Sequence, residues 1–81
     1  MGRFYVLSKK VLPEQAQKIS EEMSHVENVE RFEFSEDLTG VTVFVNGDDF
    51  SAAMDRAVNV CSREGSGTTL SFDHFVYADG E

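Results

Sequence analysis

The chain has 81 residues, 15 of them acidic and 7 basic, which gives a formal net charge of −8 at pH 7. Because nucleic acids and anionic membrane surfaces attract clustered Lys and Arg, this balance argues against both as partners. The hydrophobic content of 41% suits a small globular core, and no apolar run reaches the roughly 20 residues that span a bilayer. We expect one acidic domain over residues 1–81, either whole or the N-terminal domain of a larger protein, with no membrane insertion of this segment.

A reducing compartment fits the cysteine content. Residues 1–11 contain no long apolar segment before a cleavage site, so a signal peptide is not expected. Cys61 is the one cysteine and has no internal disulfide partner. These two features predict a cytoplasmic location.

The first half of the chain alternates between strand and helix patterns. Residues 3–7 are rich in β-favouring side chains and predict the first strand. Pro13 suits the first position of a helix that ends near Asn28. The helix is predicted by apolar residues that recur every three or four positions: Ala16, Ile19, Met23 and Val26.

The second half repeats this layout without a sequence repeat. Phe32 and Phe34 alternate with polar residues in a second strand that starts at Val29, and a turn over 35–40 leads to a third strand over 41–45. Asp48 or Asp49 is expected to cap a second helix over 50–63. The apolar stripe of that helix is predicted to contain Phe50, Ala53, Met54, Ala57 and Cys61.

A fourth strand is predicted over 68–77, before a short tail over 78–81. Its apolar residues change parity along the strand, which indicates a β-bulge near Asp73 and His74. The element order is therefore βαββαβ. It predicts an α+β, ferredoxin-like fold in which two helices cover one face of a four-stranded antiparallel sheet.

The first helix and second strand resemble the heavy-metal-associated domain family of metallochaperones and metal-pump N-terminal domains. Ile19 and Met23 match the family's apolar helix positions. The run Asn28-Val29-Glu30-Arg31-Phe32 matches the entry to its second strand, with Asn28 in place of the usual glycine. The resemblance covers roughly half of the chain and implies the same fold.

The metal-binding motif of that family is missing. Leu12 and Gln15 stand where its two cysteines would be, and Lys9 and Lys10 stand where its Gly-Met pair would be. We therefore expect a degenerate member of the family, without metal transfer as its activity and without a bound cofactor.

Three side chains are candidates for atypical metal ligation. Cys61 lies on the apolar stripe of the second helix, where a free cysteine packs as a small hydrophobe. His25 is placed at the end of the first helix and His74 in the last strand. Their spacing matches no ligand motif. A copper or zinc carrier built from these residues is therefore only the alternative to the main prediction.

The loop with Lys9 and Lys10 precedes a helix N-terminus, where anions can bind. Acylphosphatases share this element order and bind phosphate in this loop, and Asn46 follows the third strand at a suggestive position. Their glycine-rich loop and arginine are not seen in this sequence. A phosphate-handling enzyme is thus a remote alternative, and we expect no catalytic activity.

The surplus of aromatic residues points to an interaction surface. Phe4 and Val6 are assigned to the core, which directs Tyr5 to the open face of the sheet together with Phe44. Phe75 and Tyr77 are expected to join this face. An aromatic open face can stack RNA bases, but the acidic charge opposes that, and a partly covered second small core is the structural alternative.

These observations predict a non-catalytic binding or regulatory module of the heavy-metal-associated fold. Such a module could be the N-terminal domain of a metal-transporting P-type ATPase or a separate single-domain protein. Its partner would be another protein or a neighbouring domain, through the open sheet face or an edge strand, and a homodimer is one form that this contact can take.

Overall fold

A four-stranded antiparallel sheet and two helices form the fold. The structure is a computed structural model and describes residues 2–47 and 50–77. Its elements in chain order are β1 (Gly2–Leu7), α1 (Pro13–Met23), β2 (Val29–Phe34), β3 (Gly40–Val45), α2 (Ser51–Glu64) and β4 (Leu70–Val76). The strands are arranged in the order β2-β3-β1-β4, which confirms the predicted ferredoxin-like α+β fold. The predicted helix caps Asp48 and Asp49, and the tail over 78–81, lie outside the described residues.

The core lies between the helices and one face of the sheet. The predicted stripes of both helices face it, with Ile19 and Met23 of α1 and Ala57 and Cys61 of α2 fully buried. From the sheet, β3 contributes Val41, Val43 and Val45. No helix in the described part of the chain combines the length and the apolar character needed to cross a membrane.

Helix α1 ends earlier than the sequence predicts. It stops at Met23 rather than near Asn28, because the next amides bond three residues back: His25 N–H to the Glu22 carbonyl and Val26 N–H to the Met23 carbonyl. Such bonds tighten the chain into a turn. Val26 still packs, half-buried, against the core, so its helical spacing indicated burial but not helix.

The predicted β-bulge is confirmed. On the β1–β4 ladder His74 pairs with Phe4, whereas Phe72 pairs with Tyr5, so Asp73 is the extra residue between them. A bulge shifts the alternation of side chains by one position. Phe72 and Phe75 are therefore on the same side of the sheet although their numbers differ in parity.

The predicted orientation of β1 is wrong. Tyr5 is only 6% exposed and belongs to the core beneath the helices, whereas Val6, on the opposite face, is 41% exposed. Phe4 shares the open face with Val6, where its ring lies over Gly40, whose missing side chain leaves room for it. Residues 4–7 are all apolar, so alternation alone gave no basis for choosing between the two orientations.

Candidate functional site

The β1–α1 loop, which contains Lys9, Lys10 and Leu12, is tied to the rest of the chain by its own hydrogen bonds. Gln15 Oε1 accepts from the Leu12 N–H at 2.8 Å, and its Nε2 donates to Ser66 Oγ at 3.0 Å. This side chain satisfies one of the free amides at the start of α1. Leu12 itself is exposed and offers no ligand atom from its side chain.

Lys9 and Lys10 of this loop are not arranged around a common anion-binding position. Thr68, which is fully buried, accepts from the Lys9 N–H at 3.0 Å and donates to the Lys9 carbonyl at 2.9 Å. Lys9 Nζ donates to the Ser66 carbonyl at 3.3 Å, and Lys10 is exposed. These hydrogen bonds therefore connect the loop to the turn after α2, and they stabilise the fold.

Asn46, noted for its position after the third strand, is also part of the backbone structure. Its N–H donates to the Asn28 carbonyl at 2.8 Å, and its side chain is exposed. It lines an open cleft with Asn28 and Arg56, away from the loop that holds Lys9.

The three candidate metal ligands are on separate parts of the molecule. Cys61 is fully buried, and burial raises the pKa of its thiol to about 11, which disfavours the thiolate that a metal needs. His25 is exposed after α1, whereas His74 lies on the open sheet face, with its ring stacked on Phe4 at 5.1 Å. Within residues 2–47 and 50–77, no three His, Cys, Asp or Glu side chains are grouped to hold a metal ion.

Phe44, one of the aromatic residues on the open face of the sheet, is covered by other residues of that face. Phe44 is 9% exposed because it packs over Gly2 on one side and beneath Arg31 on the other. The Arg31 guanidinium carbon is 5.3 Å from the centre of the Phe44 ring, and its Nη2 is 3.2 Å from a Glu33 oxygen. This arrangement matches the alternative of a second small core better than that of an exposed aromatic platform.

A groove on the helix side of the sheet is the more accessible apolar surface. It runs between α2 and the edge strand β4 and encloses about 440 Å³. Its lining consists of apolar and small polar side chains and one cation: Arg3, Tyr5, Phe50, Ser51, Met54, Val58, Leu70 and Phe72. None of the lining residues in the described part of the chain carries a carboxylate.

The exposed apolar side chains of the molecule concentrate along this groove. Phe72 is 50% exposed and Val58 is 48% exposed, and both line it. Phe75 is also about half exposed and meets Phe72 edge to face at 5.0 Å, and the exposed Tyr77 follows β4 in the chain. Edge strands with exposed apolar side chains are a common place for another chain to dock.

Arg3 is at the centre of these rings. Its guanidinium carbon is 4.1 Å from the centre of the Phe50 ring and 5.8 Å from the centres of both Phe72 and Phe75. Its Nε is buried and has no hydrogen-bond partner in the part of the chain that the structure describes. A guanidinium among aromatic rings is well placed to donate to a carboxylate that enters from outside.

The four residues predicted to share an open face are therefore divided between two surfaces. Tyr5 lines the groove and meets Phe72 edge to face at 5.9 Å, and Phe75 lies beside Arg3 on the same side of the sheet. Phe44 is on the opposite face, and Tyr77 lies beyond the end of β4. No separate signal in the sequence marked Arg3, because the predicted orientation of β1 would have directed its side chain to solvent.

A comparison of this chain with protein-family models, with curated proteins and with solved structures gives no match.

Proposed function

We propose that this chain is a non-catalytic binding module that contacts another protein, or a neighbouring domain, through edge strand β4 and the groove between β4 and α2. The observation that carries the proposal is the concentration of half-exposed apolar side chains at this place, on Val58, Phe72 and Phe75. Isolated apolar side chains are normal on protein surfaces, but a contiguous aromatic group beside a groove is typical of a protein contact.

The absence of catalytic activity is supported by the placement of the polar groups. His74 and Asp73 are in contact at 2.5 Å, which is a geometry that some catalytic pairs have. However, both are exposed on β4, and the His74 ring stacks on Phe4 instead of facing a cleft. The pair therefore has no enclosed place in which to hold a substrate.

The narrower identity is a metal-free relative of heavy-metal-associated domains, for example one that precedes a metal-transporting P-type ATPase. It is supported by the sequence resemblance of the first helix and second strand and by the ferredoxin-like order of elements. The cytoplasmic location stays a prediction from the sequence.

The metal-carrier alternative makes a different prediction for a titration of the reduced chain with Cu(I) and then Zn(II), followed by amide NMR. A carrier would show saturable shifts near Val11–Gln15 or around Cys61. A binding module without metal would show none at equimolar metal. The burial and raised pKa of the Cys61 thiol favour the second result.

The test of the proposal compares two exposed apolar surfaces. A Phe72→Ser/Phe75→Ser variant removes the rings of the groove, and a Val6→Ser variant removes an exposed apolar side chain from the open face. Because these side chains are only half buried, both variants should fold, which circular dichroism would verify. A partner captured from the source cells by the native chain should be lost with the first variant and kept with the second.

Equal capture by all three chains would contradict the assignment to the groove, and the lack of any saturable partner would contradict the proposed function. A Tyr5→Ala/Phe44→Ala variant is unsuitable for this purpose, because both side chains are buried and their loss would affect folding.

A further inference from the structure

The groove between α2 and β4 has a chemical character that restricts what can occupy it. Among the lining residues that the structure describes, Arg3 carries a charge and the others are uncharged. The chain as a whole has 15 acidic side chains, yet none of those in residues 2–47 and 50–77 forms an ion pair with Arg3. The described lining of the groove is thus apolar with one positive charge, within an acidic protein.

The Arg3 guanidinium is only partly satisfied by its surroundings. The Phe50 ring, at 4.1 Å, supplies a favourable cation–π contact to its face. An aromatic face does not replace a hydrogen-bond acceptor for the N–H groups at the edge, and the buried Nε has none among the described residues. Buried donors are nearly always paired, and a group supplied from outside can complete the pairing of this Nε.

A carboxylate is the acceptor that fits best. It matches the fork of a guanidinium with two parallel hydrogen bonds and compensates its charge. It would approach the guanidinium beside the rings of Phe72 and Phe75, whose centres are both 5.8 Å from the guanidinium carbon. The occupant therefore needs large apolar groups next to its carboxylate to cover these rings.

The length of the groove indicates an extended segment and not a single residue. Its wall on the α2 side reaches from Phe50, the residue before the helix, to Val58, which at the helical rise corresponds to about 12 Å. An extended chain covers that length with about four residues. The opposite wall is edge strand β4, which borders the groove from Leu70 to Phe72.

We propose that this groove binds an extended segment of a partner protein in which a Glu or Asp side chain, flanked by large apolar residues on the same face, pairs with Arg3. This inference rests on the proposed function and deepens it, since it specifies the chemistry of the partner. Residues of an extended strand share a face when they are two apart. The simplest such segment is therefore Phe-Ser-Glu-Ser-Phe.

The experiment uses this segment as a blocked peptide, acetyl-Phe-Ser-Glu-Ser-Phe-amide, and a matched peptide with Gln in place of Glu. Each is titrated into the isotope-labelled full chain and followed by amide NMR. The Glu peptide should cause saturable shifts at the groove, for example at Arg3, Met54 and Phe72. The Gln peptide should bind roughly tenfold more weakly or worse, because it removes a charged hydrogen-bonded pair.

Two variants locate the effect. With Arg3→Gln, the two peptides should bind equally weakly, because the charge that distinguishes them is gone. With Arg31→Gln, the preference for the Glu peptide should be unchanged. Arg31 is the matched control, since it is an arginine over a phenylalanine ring on the other face of the sheet.

Several results would overturn the inference. These are the absence of saturable shifts with either peptide, equal binding of the two peptides to the native chain, and shifts confined to the Phe44 face. Shifts along β4 that depend on protein concentration without peptide would identify a second copy of the chain as the occupant instead. If peptides fail while partner capture still depends on Phe72 and Phe75, this inference falls and the proposed function stands.

Discussion

The two faces of the sheet each place an arginine over a phenylalanine ring, and the two contacts have different surroundings. On the open face, Arg31 lies over Phe44 and is paired with Glu33 at 3.2 Å. On the helix side, Arg3 lies over Phe50 at 4.1 Å and has no carboxylate partner among the described residues. The first contact covers a ring and compensates its own charge, whereas the second leaves a cation in an apolar groove.

Strand register explains this difference. Glu33 is two residues after Arg31 on the same strand, so both side chains are on the same face. The residue two after Arg3 is Tyr5, and the residues paired with Arg3 across the sheet are Val43 and Phe75. Each of these three strand positions carries an apolar or aromatic side chain. Its acceptor must therefore come from a more distant residue or from another molecule.

The largest effect is expected from the two phenylalanines of this comparison. Phe44→Ala should lower the free energy of unfolding by about 3 kcal/mol, because its ring is almost fully buried between Gly2 and Arg31. Phe72→Ala should lower it by less than about 1 kcal/mol, because half of that side chain is already in water. Urea denaturation of both variants would measure the two values.

Similar losses from both substitutions would contradict the comparison. They would mean that the groove is part of the folding core and not a surface kept open. A larger loss from Phe72→Ala than from Phe44→Ala would show that the second small core lies at the groove and not on the open face.

The next largest effect concerns the packing of Phe4 on the open face. A Cβ at Gly40 would be 2.2 Å from Cζ of Phe4, so Gly40→Ala must displace the ring and disturb its stacking on His74. We expect a loss of about 1–3 kcal/mol in the free energy of unfolding, measured by the same denaturation. A Phe4→Leu/Gly40→Ala double variant should recover part of that loss, because the shorter side chain leaves room for the methyl group.

Purely additive losses in the double variant would contradict this account. They would show that Gly40 is required for a reason other than the Phe4 ring, and that the open face is less tightly covered than the geometry indicates.

The sequence predicted the elements of this fold better than it predicted its surfaces. Helices and strands follow from apolar periodicity, and even the bulge at Asp73 was visible as a change of parity on β4. The orientation of β1 was not predictable in this way, because Phe4, Tyr5, Val6 and Leu7 offer two apolar faces. In the observed orientation the Phe4 ring lies over Gly40, a contact between residues far apart in the chain.

The groove was missed for the same reason. Its walls come from β1, α2 and β4, and their juxtaposition is a property of strand order and register. The length of α1 was also overestimated, because Val26 keeps the helical spacing although the helix has already ended in a turn. Local patterns thus indicated which residues are buried more reliably than which residues meet.

The smallest effect on stability is expected from the two arginines, and it tests most directly whether the groove is kept for binding. Arg31→Met should lower the free energy of unfolding by less than about 1 kcal/mol, because its ion pair with Glu33 is exposed.

Arg3→Met should leave the free energy of unfolding within about 0.5 kcal/mol of the native value or raise it. The cation–π contact is lost, but a buried donor that has no acceptor among the described residues is removed, and an apolar side chain takes its place. The same Arg3→Met variant should lose the preference for the Glu peptide. A residue whose replacement keeps the fold and abolishes recognition is retained for its partner and not for the fold. A loss of more than about 2 kcal/mol on Arg3→Met would instead make Arg3 a structural residue, whose guanidinium is satisfied within the chain.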